Sequence, residues 1–227
     1  MGVNDRADQT AIIGRSGAGK SYHIKRLLEG APPPRLLVWS PLEKTDNYAR
    51  YGKVIRSDPA QLVKILAGKR QENFAVVFVP DRTDDKRLLD HFNLFAGLAI
   101  ALGKCSPIRL IVEELSLVTK PGWSPPRWRM ISTEGRHHGI ASIGTSQRPA
   151  LIDKTYFGGA TTIRCGALQT KGDKATMADA MDIDVADIRA LRPGQWIVKE
   201  VYSGQVTHEG AALDTLPARR PRRKVAA

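Results

Sequence analysis

Eight consecutive residues, Gly14-Arg15-Ser16-Gly17-Ala18-Gly19-Lys20-Ser21, fit the pattern G-x-x-x-x-G-K-[ST] without a mismatch. That spacing has a chemical reason. Glycines let the backbone wrap so tightly that successive N–H groups can point at phosphate oxygens. The lysine ammonium then reaches the β/γ-phosphates, and the serine hydroxyl can ligate an accompanying Mg²⁺. The motif therefore nominates Gly14, Arg15, Ser16, Gly17, Ala18, Gly19, Lys20 and Ser21 as a phosphate-binding loop. Its context fits: the apolar run Thr10 to Ile13 reads as a buried strand before it, and Tyr22 to Glu29 as a helix after it. A helix N-terminus beneath the loop adds a positive dipole end for the anion.

Phosphate transfer also needs acids. The apolar run Leu110-Ile111-Val112 leads directly into Glu113-Glu114. An acidic residue ending a buried strand can help hold Mg²⁺, and a neighbouring Glu can polarise the attacking water. Glu113 is assigned to the metal side and Glu114 to the water. A second place for such an acid is Asp81, after Phe74 to Val79, but Pro80 intervenes and no second carboxylate follows. Downstream, Gln147 lies just past the strand-like run Ile140 to Thr145. An amide at that strand end can sense a γ-phosphate or help position water. The adjacent pair His137-His138 lacks a Cys cluster and does not share one helix face, which argues against a metal site.

These residues need elements to position them. Apolar β-type runs alternate with helical patterns along the chain. Strands are expected at Thr10 to Ile13, Arg35 to Ser40, Val54 to Arg56, Phe74 to Val79, Ile108 to Val112, Ile140 to Thr145, Thr161 to Arg164 and Gln195 to Tyr202. Helices are expected at Tyr22 to Glu29, Pro59 to Ala67 (capped by Ser57 or Asp58), Thr83 to Gly103, Arg127 to His138, Asp173 to Met181 and Val185 to Leu191. Alternation of this kind implies an α/β fold, a mainly parallel sheet covered on both faces. Such sheets bind ligands beyond the carboxyl ends of their strands, where the phosphate loop falls.

Composition sets outer bounds. The 227 residues suffice for one sizeable α/β domain, and 42% hydrophobic content is ordinary for a globular chain. The longest apolar stretch, Leu94 to Leu102, is too short to cross a bilayer, and the first residues lack the apolar core of a secretory signal. Two cysteines without C-x-x-C spacing, Cys105 and Cys165, read as free thiols. The net charge of +12 suggests a polyanionic partner such as DNA. Arg219, Arg220, Arg222, Arg223 and Lys224 supply five of those positive charges. Residues 1–215 are expected to form a single ATPase domain, and residues 216–227 a basic, disordered tail.

The order GRSGAGKS, then LIVEE, then GRHHGI followed by a strand and SQRP, resembles the FtsK/HerA superfamily of DNA-pumping ATPases. Within it, the short chain and the GRHHGI…SQRP element are most similar to the genome-packaging ATPases of tailless, internal-membrane bacteriophages of the tectivirus type. The resemblance spans about residues 9–165. It implies a P-loop NTPase of the additional-strand (RecA/FtsK-like) class, using ATP and Mg²⁺. It further implies a hexameric homo-oligomer that moves double-stranded DNA into a preformed capsid. Its setting would be the packaging vertex of the virion and the host cytoplasm, with capsid-vertex or portal proteins as partners. By the same resemblance Lys20 and Ser21 form the nucleotide and Mg²⁺ pair, Glu113 and Glu114 the Walker B acids, and Gln147 the sensor. Arg136 or Arg148 becomes the candidate arginine finger for a neighbour's ATP. Glu113 departs from the usual Asp and lengthens that arm by one methylene.

Two other readings share the early motifs. A filamentous-phage assembly ATPase of the Zot type also has an Arg-His element, but typically carries a membrane span. A small-molecule kinase needs only the phosphate loop, and would not hydrolyse ATP faster with DNA. The segment Lys120 to Arg129 mixes cations, prolines and two tryptophans. It reads either as the lining of a DNA channel or as an ordinary surface loop with its tryptophans partly in the core.

Overall fold

A computed structural model describes residues 8–42 and 48–210 of the chain. The basic tail and the proposed boundary at residue 215 lie outside the described residues. Nine strands form one sheet in the spatial order β3-β4-β2-β5-β6-β1-β7-β8-β9. They are β1 (Gln9–Ile13), β2 (Arg35–Trp39), β3 (Lys53–Arg56), β4 (Phe74–Val79), β5 (Ile108–Val112), β6 (Ile140–Ser146), β7 (Thr162–Gly166), β8 (Trp196–Glu200) and β9 (Gln205–Glu209). The pairs from β3 to β7 are parallel, and β7-β8 and β8-β9 are antiparallel.

Helices cover both faces, which is why the central strands read as unbroken apolar runs rather than alternating ones. Period-two geometry still sorts the side chains. Ala11, Ile13, Leu37, Trp39, Val76, Phe78, Leu110 and Val112 join the larger core. Ile12, Leu36, Val38, Val77 and Ile111 turn to the opposite face. There they meet Ile24 and Leu28 of α1 (Lys20–Gly30), together with Tyr48. The larger core packs against α2 (Pro59–Ala67), α3 (Asp85–Gly103), α4 (Pro126–Glu134), α5 (Thr155–Gly158), α6 (Lys171–Met181) and α7 (Val185–Ala190). Trp39 sits at its centre, with ring centroids 4.9 Å from Phe92 and 5.3 Å from Phe95.

Local chemistry sets the helix starts. The Asp58 carboxylate accepts from the Gln61 N–H and caps α2, so Asp58 rather than Ser57 fills that role. Asp84 accepts from the Arg87 N–H, which makes it the cap of α3 rather than part of its first turn. Thr83 is excluded from the helix because its N–H is held by Asp81. The helix expected over Arg127 to His138 is α only to Glu134 and tightens into a 3₁₀ turn over Gly135–His138. The last expected strand is shorter, Trp196–Glu200, and the chain doubles back at Gly204 to form β9. Every residue of β9 is exposed, so it carries no apolar pattern to announce it.

Among the described residues, no helix is long and apolar enough to cross a membrane. Both cysteines are free thiols, Cys165 buried in β7 and Cys105 half-buried. Burial pushes the Cys165 thiol up to about 12, so its thiolate is almost absent near neutral pH. A thiol-reactive chromophore at pH 8 should therefore titrate one cysteine per native chain and two in denaturant. Rapid labelling of both in the native protein would contradict the buried placement of Cys165.

Candidate functional site

The phosphate loop joins β1 to α1 at the carboxyl edge of the sheet. Its first turns are tied to the neighbouring strand ends. The Gly14 N–H donates to the Ser146 carbonyl (3.2 Å) and the Arg15 N–H to the Ala167 carbonyl (2.9 Å). Gly19 has φ 103° and Gly17 φ 76°, left-handed conformations that a side chain would strain. The loop also rests on a residue that the motif does not contain. Trp196 of β8 is 3% exposed, and its indole lies where a Cβ on Gly14, Gly19 or Gly166 would meet it at 3.2–3.7 Å. The hairpin after the parallel sheet thus places a flat aromatic floor beneath the loop.

Lys20, at the start of α1, extends its ammonium back over the loop and donates to the Gly14 carbonyl (2.7 Å) and the Arg15 carbonyl (3.3 Å). Burial pulls its pKa below the ordinary lysine value, while the charges of Glu114 and Glu113 act in the opposite direction. These three charges face one cleft of about 380 Å³, which Ser21 and Gln147 also line. That volume lies within the range of small-molecule sites.

The acidic pair ends β5, and both residues are buried, Glu113 at 9% exposure and Glu114 at 7%. A solvated helix start is therefore not their setting. Three hydroxyls converge on the Glu113 carboxylate. Tyr48 donates to Oε1 at 2.7 Å, Ser21 to Oε1 at 3.3 Å and Ser40 to Oε2 at 3.1 Å. Charge-assisted bonds of this kind offset the desolvation of a buried carboxylate. Glu114 takes the left-handed conformation, φ 55° and ψ 62°, which is uncommon outside glycine. The kink turns the chain out of the sheet immediately after β5. The Glu114 N–H donates to Thr145 Oγ1 at 3.3 Å, and Gln147 Nε2 donates to Glu114 Oε1 at 2.9 Å.

The structure thus brings Lys20, Ser21, Glu113, Glu114 and Gln147 together. It leaves Asp81 apart, half-buried just past the end of β4 and hydrogen-bonded to the Thr83 N–H at 3.0 Å. Arg136 is exposed in the 3₁₀ turn before β6. Seven residues of strand separate it from the cleft end, roughly 20 Å at 3.3 Å per residue. It cannot serve its own chain's cleft. Arg148 lies at the cleft end, with Nε donating to Asp173 Oδ2 at 3.0 Å. Asp173 is 1% exposed in its side chain and also accepts from the Ala150 N–H and the Thr170 hydroxyl. His138 is buried 3.8 Å from the Glu134 carboxylate, and no metal-type cluster occurs among the described residues.

Ser40, Tyr48, Thr145 and Trp196 escape the sequence motifs. Thr145 had a visible signal as a polar residue closing an apolar strand, and so did Ser40. Its adjacency to Glu113 depends on β2 lying beside β5, which spacing does not encode.

No family model matches the chain. Protein P9 of Pseudoalteromonas phage PM2 is 28% identical over 183 residues, spanning 79% of this chain and 78% of that protein. The genome packaging NTPase B204 of Sulfolobus turreted icosahedral virus 2, in complex with AMPPCP, superposes with a TM-score of 0.71 at 17% identity. That match covers 92% of this chain and 100% of B204. VirB4 of Thermoanaerobacter pseudethanolicus gives a TM-score of 0.65 at 13% identity, covering 90% of this chain and 89% of VirB4. With β6 inserted between the phosphate-loop strand β1 and the acidic strand β5, the chain has an additional-strand P-loop fold, which it shares with B204 and VirB4.

Proposed function

We propose that this protein hydrolyses ATP to drive double-stranded DNA through a homo-oligomeric ring, a hexamer, into a viral capsid. The observation that carries the reading is the convergence of Lys20, Ser21, Glu113, Glu114 and Gln147 on one cleft at three adjacent strand ends. The likeness to B204, whose structures are described as those of a genome packaging NTPase, supports the choice of cargo. In this reading the protein works at the packaging vertex and in the host cytoplasm, against capsid-vertex or portal proteins.

The phosphate loop receives the triphosphate, and the Lys20 ammonium moves from the loop carbonyls to the β/γ-phosphates. Ser21 Oγ and Glu113 Oε1, 3.3 Å apart, form an all-oxygen donor pair that suits Mg²⁺, a cation that keeps several waters and takes few protein ligands. They would hold the ion, which supplies charge neutralisation at the β- and γ-oxygens. Ser40 and Tyr48 fix the carboxylate in place. Glu114 orients a water on the γ-phosphorus and accepts its proton as the P–O bond to the β-phosphate breaks, leaving ADP and phosphate. Gln147, bonded to Glu114 at 2.9 Å, holds that carboxylate and meets the γ-phosphate with its amide. Arg136 of an adjacent copy supplies the finger, and Arg148 is the alternative.

Lys20→Ala should abolish turnover, because the β/γ-phosphates lose their fixed cation. Glu114→Gln should instead keep ATP binding while hydrolysis falls steeply. Calorimetric ATP affinity beside a phosphate-release assay, with and without duplex DNA, separates the two. Equal loss of binding and turnover in Glu114→Gln would move that residue to the metal. Wild-type turnover indifferent to DNA would argue for a kinase or other small-molecule role.

Tyr48→Phe removes the 2.7 Å hydrogen bond to Glu113 and leaves the ring in the core. Partners of ligating groups are worth 10–100-fold in metal affinity, so the Mg²⁺ concentration for half-maximal turnover should rise by roughly 10–100-fold. An unchanged Mg²⁺ titration would remove Tyr48 from the site.

Arg136→Ala should spare nucleotide binding and suppress turnover. Mixing Arg136→Ala with Lys20→Ala subunits should partly restore activity, since some interfaces then pair an intact loop with an intact finger. No recovery despite demonstrated co-assembly would transfer the assignment to Arg148.

A further inference from the structure

The segment between β5 and α4 carries one surface feature that the cleft does not use. Lys120 and Trp123 face each other across a two-residue turn, with the Lys120 N–H donating to the Trp123 carbonyl and the Trp123 N–H to the Lys120 carbonyl, both at 2.9 Å. Gly122 at the corner has φ 72°, a left-handed angle suited to glycine in such a turn. The result is a stiff tip. Trp123 is 41% exposed, whereas the chain's other tryptophans, Trp39, Trp128 and Trp196, are all buried. From Val118 to Met130 the sequence holds three cations, Lys120, Arg127 and Arg129, and no acid. All three are exposed.

Both stems of this tip lead back to the cleft. On one side the Leu117 N–H donates to the Glu114 carbonyl (2.9 Å), and the Thr119 N–H and hydroxyl donate to the Leu115 carbonyl (2.9 Å each). On the other side the segment following Gln147 folds through the 3₁₀ turn Pro149–Leu151 to Asp153. Asp153 clasps the base of the turn at both flanks. Its N–H donates to Thr119 Oγ1 (3.4 Å), and its Oδ2 accepts from Ser124 Oγ (2.7 Å). Asp153 Oδ1 is itself held by the N–H and hydroxyl of Thr155. The two residues placed at the γ-phosphate, Glu114 and Gln147, therefore each connect by short hydrogen-bonded segments to one exposed Lys-Trp turn. Coupling between sites is carried by contiguous networks of this kind.

We propose that the Lys120–Trp123 turn is the duplex-contact tip that transmits DNA engagement to the cleft. Lys120 takes a backbone phosphate, Trp123 packs its indole on the sugar edge beside it, and the Ser124–Asp153–Thr119 clasp passes the displacement to Glu114 and Gln147. The inference rests on the DNA-translocation reading above. A cation beside an exposed aromatic, on a strongly basic chain, matches an anionic polymer with apolar sugar faces better than it matches a protein surface.

The full-length protein tests this without reference to catalysis. Since Trp123 is the exposed tryptophan, acrylamide quenching of intrinsic fluorescence reports on it, and a Trp123→Phe variant defines the signal of the buried remainder. Adding a duplex oligonucleotide should lower wild-type quenching to the Trp123→Phe level. Lys120→Ala should flatten the salt dependence of duplex binding by about 0.9 in the log–log slope, one phosphate contact. Ser124→Ala should leave duplex affinity unchanged and abolish the stimulation of turnover by DNA. If the wild type binds duplex while Trp123 stays fully quenchable and the Lys120→Ala slope is unaltered, the tip assignment fails and the translocation reading survives. If Ser124→Ala retains full stimulation, the coupling through the clasp fails. Shielding of Trp123 before DNA is added would make the turn a contact between copies, and protection by single strands alone would overturn the duplex assignment. A wild type that neither binds duplex nor responds to it removes both readings together.

Discussion

The site depends on the register of three parallel strands, β1, β6 and β5. Ile13 pairs with Ser146, and Val112 pairs with Gly144, so three strand ends finish at one edge of the sheet. Neighbouring strands lie about 4.8 Å apart. One interposed strand therefore separates the phosphate loop from the acidic pair by about 10 Å, which leaves room for a phosphoryl group between Lys20 and the two glutamates. Gln147, continuing from the interposed strand, reaches that gap from the middle. A slip of a single residue would turn every side chain of a strand to the other face and scatter these groups. Burial on both faces makes such a slip costly, because each strand would have to exchange its two apolar sets.

Such an arrangement concentrates charge where the fold alone would not place it. Two buried carboxylates and a half-buried ammonium share one open cleft, and buried charges contribute little to stability because desolvation offsets their attraction. Hydrogen bonds hold the charges in place. Glu113 accepts from three hydroxyls, Glu114 from an amide, and Lys20 donates to the carbonyls of its own loop. The contacts of Lys20 and Glu114 are with groups that an arriving phosphate could replace. The contacts of Glu113 with Ser40 and Tyr48 come from β2 and from beneath α1, away from the loop. The cleft thus combines one carboxylate held by hydroxyls with one held by the single amide of Gln147. The left-handed backbone of Glu114 adds local strain at the same point, which the surrounding strand ends sustain.

Much of this was legible in the sequence. The phosphate loop is written contiguously because its chemistry is local: one turn of backbone must bend, donate and lead into a helix. The apolar runs located eight of the nine strands, since strands buried on both faces leave long uninterrupted apolar segments. The acids at the end of β5 and the amide at the end of β6 were found by the same logic, as polar residues closing apolar strands. Tertiary structure decided what local chemistry does not specify. Spatial order placed β2 beside β5, and so brought Ser40 and Tyr48 to Glu113. The antiparallel return of β8 put Trp196 beneath the loop, a contact between residues nearly two hundred positions apart in the chain. The exposed strand β9 carries no apolar pattern and was invisible. The Lys120 to Arg129 segment held both of its readings open until packing divided its tryptophans, Trp128 into the core against Tyr156 and Trp123 outward. Sequence alone determines a feature when the residues that make it are neighbours in the chain. Where the partners meet only through sheet order, the fold decides, because hydrogen-bonded strand pairing and not spacing sets which side chains touch.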